Sequence, residues 1–194
     1  MSRVPIIAVI GDSRVEAGDA RDRFAEDVGR LIIDRGWRLQ TGGLGGVMEA
    51  ASRGGRASAR WVAGSVIGIL PGWDPEAANP YVDVALPTGL DHVRNVLVGQ
   101  ADAVIAVGGG AGTLSEIALA WMLFRLIVAR RGEGWAGRLA DQRVDERVRY
   151  PDIVEDRVYG VDTAEEAVAT VERWLPAYRR RHGGVRRRTR EQPL

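Results

Sequence analysis

Short β-branched apolar runs alternate along this chain with longer stretches whose apolar residues recur every three to four positions. The first kind suits a strand buried on both faces and the second a helix lying against a sheet. Their alternation predicts βαβ units and a parallel sheet. Residues 5–10 read as the first strand, ending at Gly11, Asp12 and Ser13. A helix follows over about 19–35, with Phe24, Val28, Leu31 and Ile32 on one face and Gly36 as its stop. Residues 37–40 form a second strand, 41–46 its glycine-rich turn and 47–58 the next helix. A third strand, 65–70, closes at Pro71 and Gly72, and a loop with prolines at 71, 75 and 80 leads to a fourth over 81–86.

In the second half, 90–100 is helical in pattern and 103–107 is the most apolar strand. A helix is predicted over 113–124, a strand over 126–129 and a turn over 132–135. The charged segment 139–157 reads mostly as loop. Thr163, with Glu166 three positions on, has the spacing of a capping box and opens a last helix to about Arg179. The elements together predict one α/β domain over 1–178, a doubly wound parallel sheet in three αβα layers. A basic tail over 179–194, expected to be disordered, completes the chain.

Composition removes several chemistries. Cysteine is absent, which excludes disulfides, thiolate metal sites and cysteine nucleophiles, and His92 and His182 are too few for a multi-histidine zinc site. All 27 basic residues are arginine, so a lysine Schiff base and a lysine-bearing phosphate loop are excluded with them. No metal is therefore expected. The net charge of +1 hides an asymmetry, since the tail carries seven arginines against Glu191 and the body is mildly acidic. That is the profile of an appendage, and nucleic acid is not the expected partner. No apolar run approaches the roughly 18 residues of a membrane span, and the cytoplasm is the expected compartment.

Ligands of an open parallel sheet bind at the carboxyl ends of its strands. Here that edge carries Gly11 to Ser13, then Gly42, Gly43, Gly45 and Gly46, and then the run Gly108, Gly109, Gly110, Gly112 and Thr113. Glycine lets backbone N–H groups approach an anion with no Cβ in the way, and a helix N-terminus adds unpaired donors. Gly109, Gly110, Gly112 and Thr113 are the expected phosphate site, with Gly11, Ser13, Gly42, Gly43 and Gly45 as further binding candidates. Glu116 has two readings. It fits a capping box with Thr113, or it faces the ligand crevice as a chemical group whose charge Arg94 would offset. Trp73, in the proline-rich loop, is the tryptophan placed to touch a ligand. Trp61, Trp121 and Trp174 are expected in the core or an interface. His92 is expected at the surface, and Glu49 is a weaker candidate in the second loop's helix.

The run from Gly108 to Glu116, preceded by Arg94 and Asn95, resembles the PGGxGTxxE motif of the LOG family. The glycine loop from Thr41 to Glu49 and the turn at Gly11 resemble that family's other two loops. The likeness spans roughly residues 5–130. It implies a Rossmann-like fold, a homodimer and a bound nucleoside 5′-monophosphate, with no further cofactor required. In the family's phosphoribohydrolases the N-glycosidic bond is cleaved to free base and ribose 5-phosphate. That implies catalytic roles for Glu116, activating water or stabilising an oxocarbenium-like state, and for Arg94, orienting the nucleotide. The sequence departs from the motif at Gly108, where the hydrolases carry proline, and at Asn95, where they carry lysine. In both respects it resembles the sub-branch with molybdenum cofactor carrier proteins, which implies a molybdopterin-type ligand bound without cleavage.

Overall fold

The computed structural model describes residues 3–179. Apart from Arg179, the tail expected over 179–194 lies outside the described residues. Among the described residues, seven strands form one parallel sheet: β1 (Ile6–Gly11), β2 (Arg38–Thr41), β3 (Val66–Leu70), β4 (Val84–Pro87), β5 (Ala103–Val107), β6 (Leu126–Arg130) and β7 (Val158–Val161). Their spatial order is β4-β3-β2-β1-β5-β6-β7. Helices α1 (Ala20–Asp34), α2 (Val47–Ala57) and α6 (Ala164–Trp174) cover one face; α3 (Asn95–Gly99), α4 (Ala111–Met122) and α5 (Gly134–Leu139) cover the other. This is the three-layer, doubly wound, Rossmann-like single domain expected from the pattern.

The period-two geometry of a strand explains why its runs are apolar throughout. In β1, Ile7 and Val9 enter the core beneath α1, α2 and α6, whereas Ala8 and Ile10 enter the core beneath α4. The chain order reverses at β1, which pairs with β2 on one side and β5 on the other. Such a reversal splays the outgoing loops and opens a crevice at the carboxyl ends of β1 and β5.

Several boundaries differ from the sequence pattern. The region 90–100 is not one helix but a single 3-10 turn, Asp91–Arg94, followed by the short α3. It starts from Asp91 in the left-handed region at φ +48°. The segment 132–135 leads into the six-residue α5, where the pattern predicts only a turn. The edge strand β7 has no counterpart among the predicted elements. The last helix stops at Trp174, short of Arg179, because Pro176 has no N–H to donate to the Glu172 carbonyl and so cannot continue the helical ladder. No helix among the described residues is long and apolar enough to cross a membrane.

Candidate functional site

The crevice begins where β1 and β5 end in register, Gly11 opposite Val107. A Cβ on Gly11 would lie 2.2 Å from the Val107 carbonyl oxygen, so the two chains run too close for any side chain. Beyond β5 the backbone turns through Gly108 and Gly109 at φ of +62° and +91°. The start of α5 locks this turn, as the N–H groups of Trp135 and Ala136 donate to the carbonyls of Gly109 and Gly108, each at 2.9 Å. Those bonds occupy two oxygens that would otherwise repel an anion.

Helix α4 then starts at Ala111 with Gly110 as its N-cap and no side chain capping it. Its first intrahelical bond runs from the Leu114 N–H to the Gly110 carbonyl at 3.0 Å, leaving the first-turn N–H groups without helical acceptors. Gly110 and Gly112 line the cleft, and a Cβ on either would meet nothing within 4 Å. An anion can therefore approach these donors unobstructed, at the positive end of the helix dipole. Thr113, buried in the first turn, adds a hydroxyl to the same wall.

The capping-box reading of Glu116 does not hold. The helix starts earlier than Thr113, so Thr113 sits inside its first turn and Glu116 lies a turn further on, facing the cleft. Glu116 is 7% exposed and Arg94 9%, and Arg94 Nη1 stands 3.9 Å from Glu116 Oε1. That distance gives charge attraction without a hydrogen bond. Burial pushes the Glu116 carboxyl up to about 7, with Arg94 pulling it back. Burial also lowers the pKa of Arg94, and Glu116 opposes that shift. Among the described residues, Arg94 Nη1 has no hydrogen-bond partner. A buried cationic N–H without an acceptor, in a cleft walled by an uncapped helix, has the chemistry to bind an oxygen anion.

The cleft has a volume of about 510 Å³, and the expected residues Gly11, Ser13, Arg94, Gly110, Gly112, Thr113 and Glu116 line it. The other expected binding residues, Gly42, Gly43, Gly45 and Gly109, lie outside that lining. The second loop is held by Asn79, which donates through Nδ2 to the carbonyls of Gly43 (3.2 Å) and Leu44 (3.0 Å). The loop presents Leu44 and Met48 to the cleft. Asp12, also on the wall, accepts from Arg21 Nη1 at 3.0 Å. Asn95 donates to Ser115 Oγ at 2.8 Å, tying α3 to α4. His92 is exposed at the rim. Trp73 is 81% exposed, its ring against Gly89 and outside the cleft lining. Trp121 is buried, and Trp61 and Trp174 pack against the core. No cluster of three His, Cys, Asp or Glu residues able to hold a metal occurs among the described residues.

Asn79 and Gly134 shape the site, and the sequence assigns neither that role: Asn79 carries no signal and Gly134 reads as part of a turn. Gly134, at φ +69°, approaches the Gly108–Gly109 turn so closely that a Cβ would lie 2.4 Å from the Gly108 carbonyl carbon. Neither belongs to a local motif, and their partners are distant in sequence.

Two glycines of this loop should respond in opposite ways. At Gly109 a Cβ would meet Thr113 Oγ1 at 2.2 Å on a left-handed backbone. Gly109→Ala is therefore expected to cost about 1–3 kcal/mol in urea melts. Gly112→Ala, inside the helix and facing open space, should raise ligand-free stability by up to about 1 kcal/mol. Its methyl would stand in the anion's path, so ligand retention should fall.

The SLOG cluster4 family model matches residues 4–166. The chain belongs to that family. An uncharacterized protein of Archaeoglobus fulgidus is 44% identical over 115 residues, 59% of this chain and 72% of the relative. Among solved structures, the molybdenum cofactor binding protein of the phototrophic bacterium Rippkaea orientalis is 31% identical, with a TM-score of 0.72 over 89% of this chain and 98% of its own. The molybdenum cofactor carrier protein of Chlamydomonas reinhardtii is 27% identical, with a TM-score of 0.70 over 89% of this chain and 99% of its own. The SLOG domain thus shares its architecture with proteins that bind or carry molybdenum cofactor.

Proposed function

We propose that this SLOG-family chain binds a small molecule carrying a phosphate monoester, of the molybdopterin type, and releases it uncleaved. The observation that carries the reading is the unpartnered Arg94 Nη1 in the same cleft as the uncapped N-terminus of α4. The phosphate would sit on the N–H groups of Ala111, Gly112 and Thr113, with Arg94 supplying charge and Ser13 a hydroxyl at the opposite wall. Leu44 and Met48 offer the apolar surface that a flat ring system requires. The molybdenum centre is cargo in this reading, held through the organic ligand and not by protein side chains.

Gly108 favours a carrier over a hydrolase. Its φ of +62° cannot be adopted by proline, the residue the LOG hydrolases place there. A Cβ at this position would also lie 2.2 Å from Asp12 Oδ2. The turn therefore follows a path that the hydrolase motif does not allow. A groove beside the cleft, lined by Val93, Val96, Ala111 and Leu119, is apolar and open, which supports a homodimer as the working unit. Sedimentation equilibrium returning twice the chain mass agrees with that assembly, and the single chain mass contradicts it.

Glu116 favours a second reading, hydrolysis of the N-glycosidic bond of a nucleoside 5′-monophosphate. A buried carboxyl poised at about 7 beside an arginine is suited to general acid or base work. Incubation with AMP and other nucleoside monophosphates separates the two readings. The carrier reading expects no free base. Base release that Glu116→Ala abolishes would establish the hydrolase instead.

A further inference from the structure

The glycines around the cleft differ in what a side chain would meet. At Gly43 and Gly46 the backbone is left-handed, at φ of +76° and +65°. At Gly11 the obstacle is a backbone carbonyl, and at Gly45 the nearest atoms lie at ordinary contact distance. Gly42 is of another kind, since its φ lies outside the left-handed region and no backbone atom is among its nearest obstacles. A methyl there would lie 2.3 Å from Arg94 Nη1, 2.8 Å from Arg94 Nη2 and 2.6 Å from Met48 Sδ. These atoms are the tips of two flexible side chains, one of them the unpartnered cation of the cleft.

We propose that Gly42 is a positioning residue whose missing side chain seats the Arg94 guanidinium, holding Nη1 in the cleft beside Glu116. The proposal deepens the anion-binding reading and rests on it for its function, but the seat itself is a property of the ligand-free protein. Position 42 then acts through Arg94 and need not touch the ligand. An added methyl pushes the guanidinium outward by about the overlap it meets, on the order of 1 Å, while the backbone keeps its path. Arg94 would still be present and charged, yet misplaced relative to both Glu116 and the N-terminus of α4.

The Glu116 carboxyl is a built-in reporter of that displacement. The other titratable groups lining the cleft are Asp12, which is paired with Arg21, and His92 at the rim. Carbon-13 NMR of glutamate-carboxyl-labelled protein, without ligand, gives the Glu116 titration midpoint in wild type, Gly42→Ala, Arg94→Met and the double variant. Moving the charge from about 4 to about 5 Å should raise the midpoint by roughly 0.5 to 1 pH unit in Gly42→Ala. In the Arg94→Met background, which keeps the wall filled, the same methyl should leave the midpoint where it was. Displacement of Met48 alone would shift both backgrounds alike.

An unchanged midpoint in Gly42→Ala, or an equal rise in both backgrounds, would overturn the proposal. A Gly42→Ala chain that does not fold would overturn it too, because position 42 would then serve the backbone. Titrating the same four proteins with inorganic phosphate keeps the two claims apart. If phosphate binds wild type no better than Arg94→Met, the anion-site reading fails while the midpoints still decide whether Gly42 seats Arg94.

Discussion

Arg149→Ala is expected to lower unfolding free energy by about 3–5 kcal/mol, the usual cost of stripping one partner from a buried ion pair. Arg149 is 1% exposed, and its Nε donates to Asp156 Oδ2 at 2.9 Å while Nη2 engages the other carboxylate oxygen. Its Nη1 donates to the carbonyls of Trp121 (3.2 Å) and Arg125 (3.0 Å), and its guanidinium carbon lies 3.5 Å from the Trp121 ring centroid. The alanine variant would bury the Asp156 carboxylate without its counter-charge and leave a cavity against Trp121. Because Trp121 belongs to α4, the pair joins the irregular segment 140–157 to the helix that builds the cleft. Urea melts of wild type and variant test this, and a loss below about 1 kcal/mol would show that the pair is not structurally important.

Glu116→Gln should stabilise the protein at alkaline pH by an amount on the order of 3 kcal/mol, and should change little at pH 4.5. Burial raises the Glu116 carboxyl from 4.5 to about 7 in the folded state. Between those values the native chain holds a proton that the unfolded chain has released. Its contribution is therefore fully present below about 4.5, falls as pH rises, and is gone above about 7. Glutamine stays neutral throughout and removes that loss. The check is the difference between the two proteins' unfolding free energies across pH 4.5 to 8. A difference that does not grow with pH would mean that Glu116 titrates as an ordinary surface carboxylate. Under the proposed function the same proton would couple to ligand binding, because an ionised Glu116 would compete with a phosphate for Arg94.

The sheet is legible in the sequence because fully buried parallel strands leave a simple signature, uninterrupted apolar runs such as Val104 to Val107 between amphipathic helices. The glycine turn after β5 is legible for a related reason, since Gly108 to Gly112 stand directly after the most buried strand. What stays hidden depends on distance. Asn79 fastens the second glycine loop from 36 residues away, and its proline-rich surroundings carry no motif for that task. Strand β7 is short and follows a charged stretch, so its burial is decided by pairing with β6 and not by its own pattern. The capping-box reading of Glu116 has the right spacing, but Gly110 caps the helix earlier and frees the carboxylate. Gly42 reads in sequence as one more loop glycine, and only the Arg94 side chain in the space a methyl would take gives it a role.

A cleft that holds a phosphate-bearing ligand through Arg94 and the N-terminus of α4, as proposed, should keep that ligand through purification. The most direct test is mass spectrometry of the small molecules released on denaturing the purified protein, with Arg94→Met prepared in parallel. The expected result is a near-stoichiometric phosphate monoester of the pterin type from wild type, reduced at least tenfold, about 1.4 kcal/mol, in the variant. The absence of any phosphate-bearing molecule above trace, or equal amounts from both proteins, would contradict it.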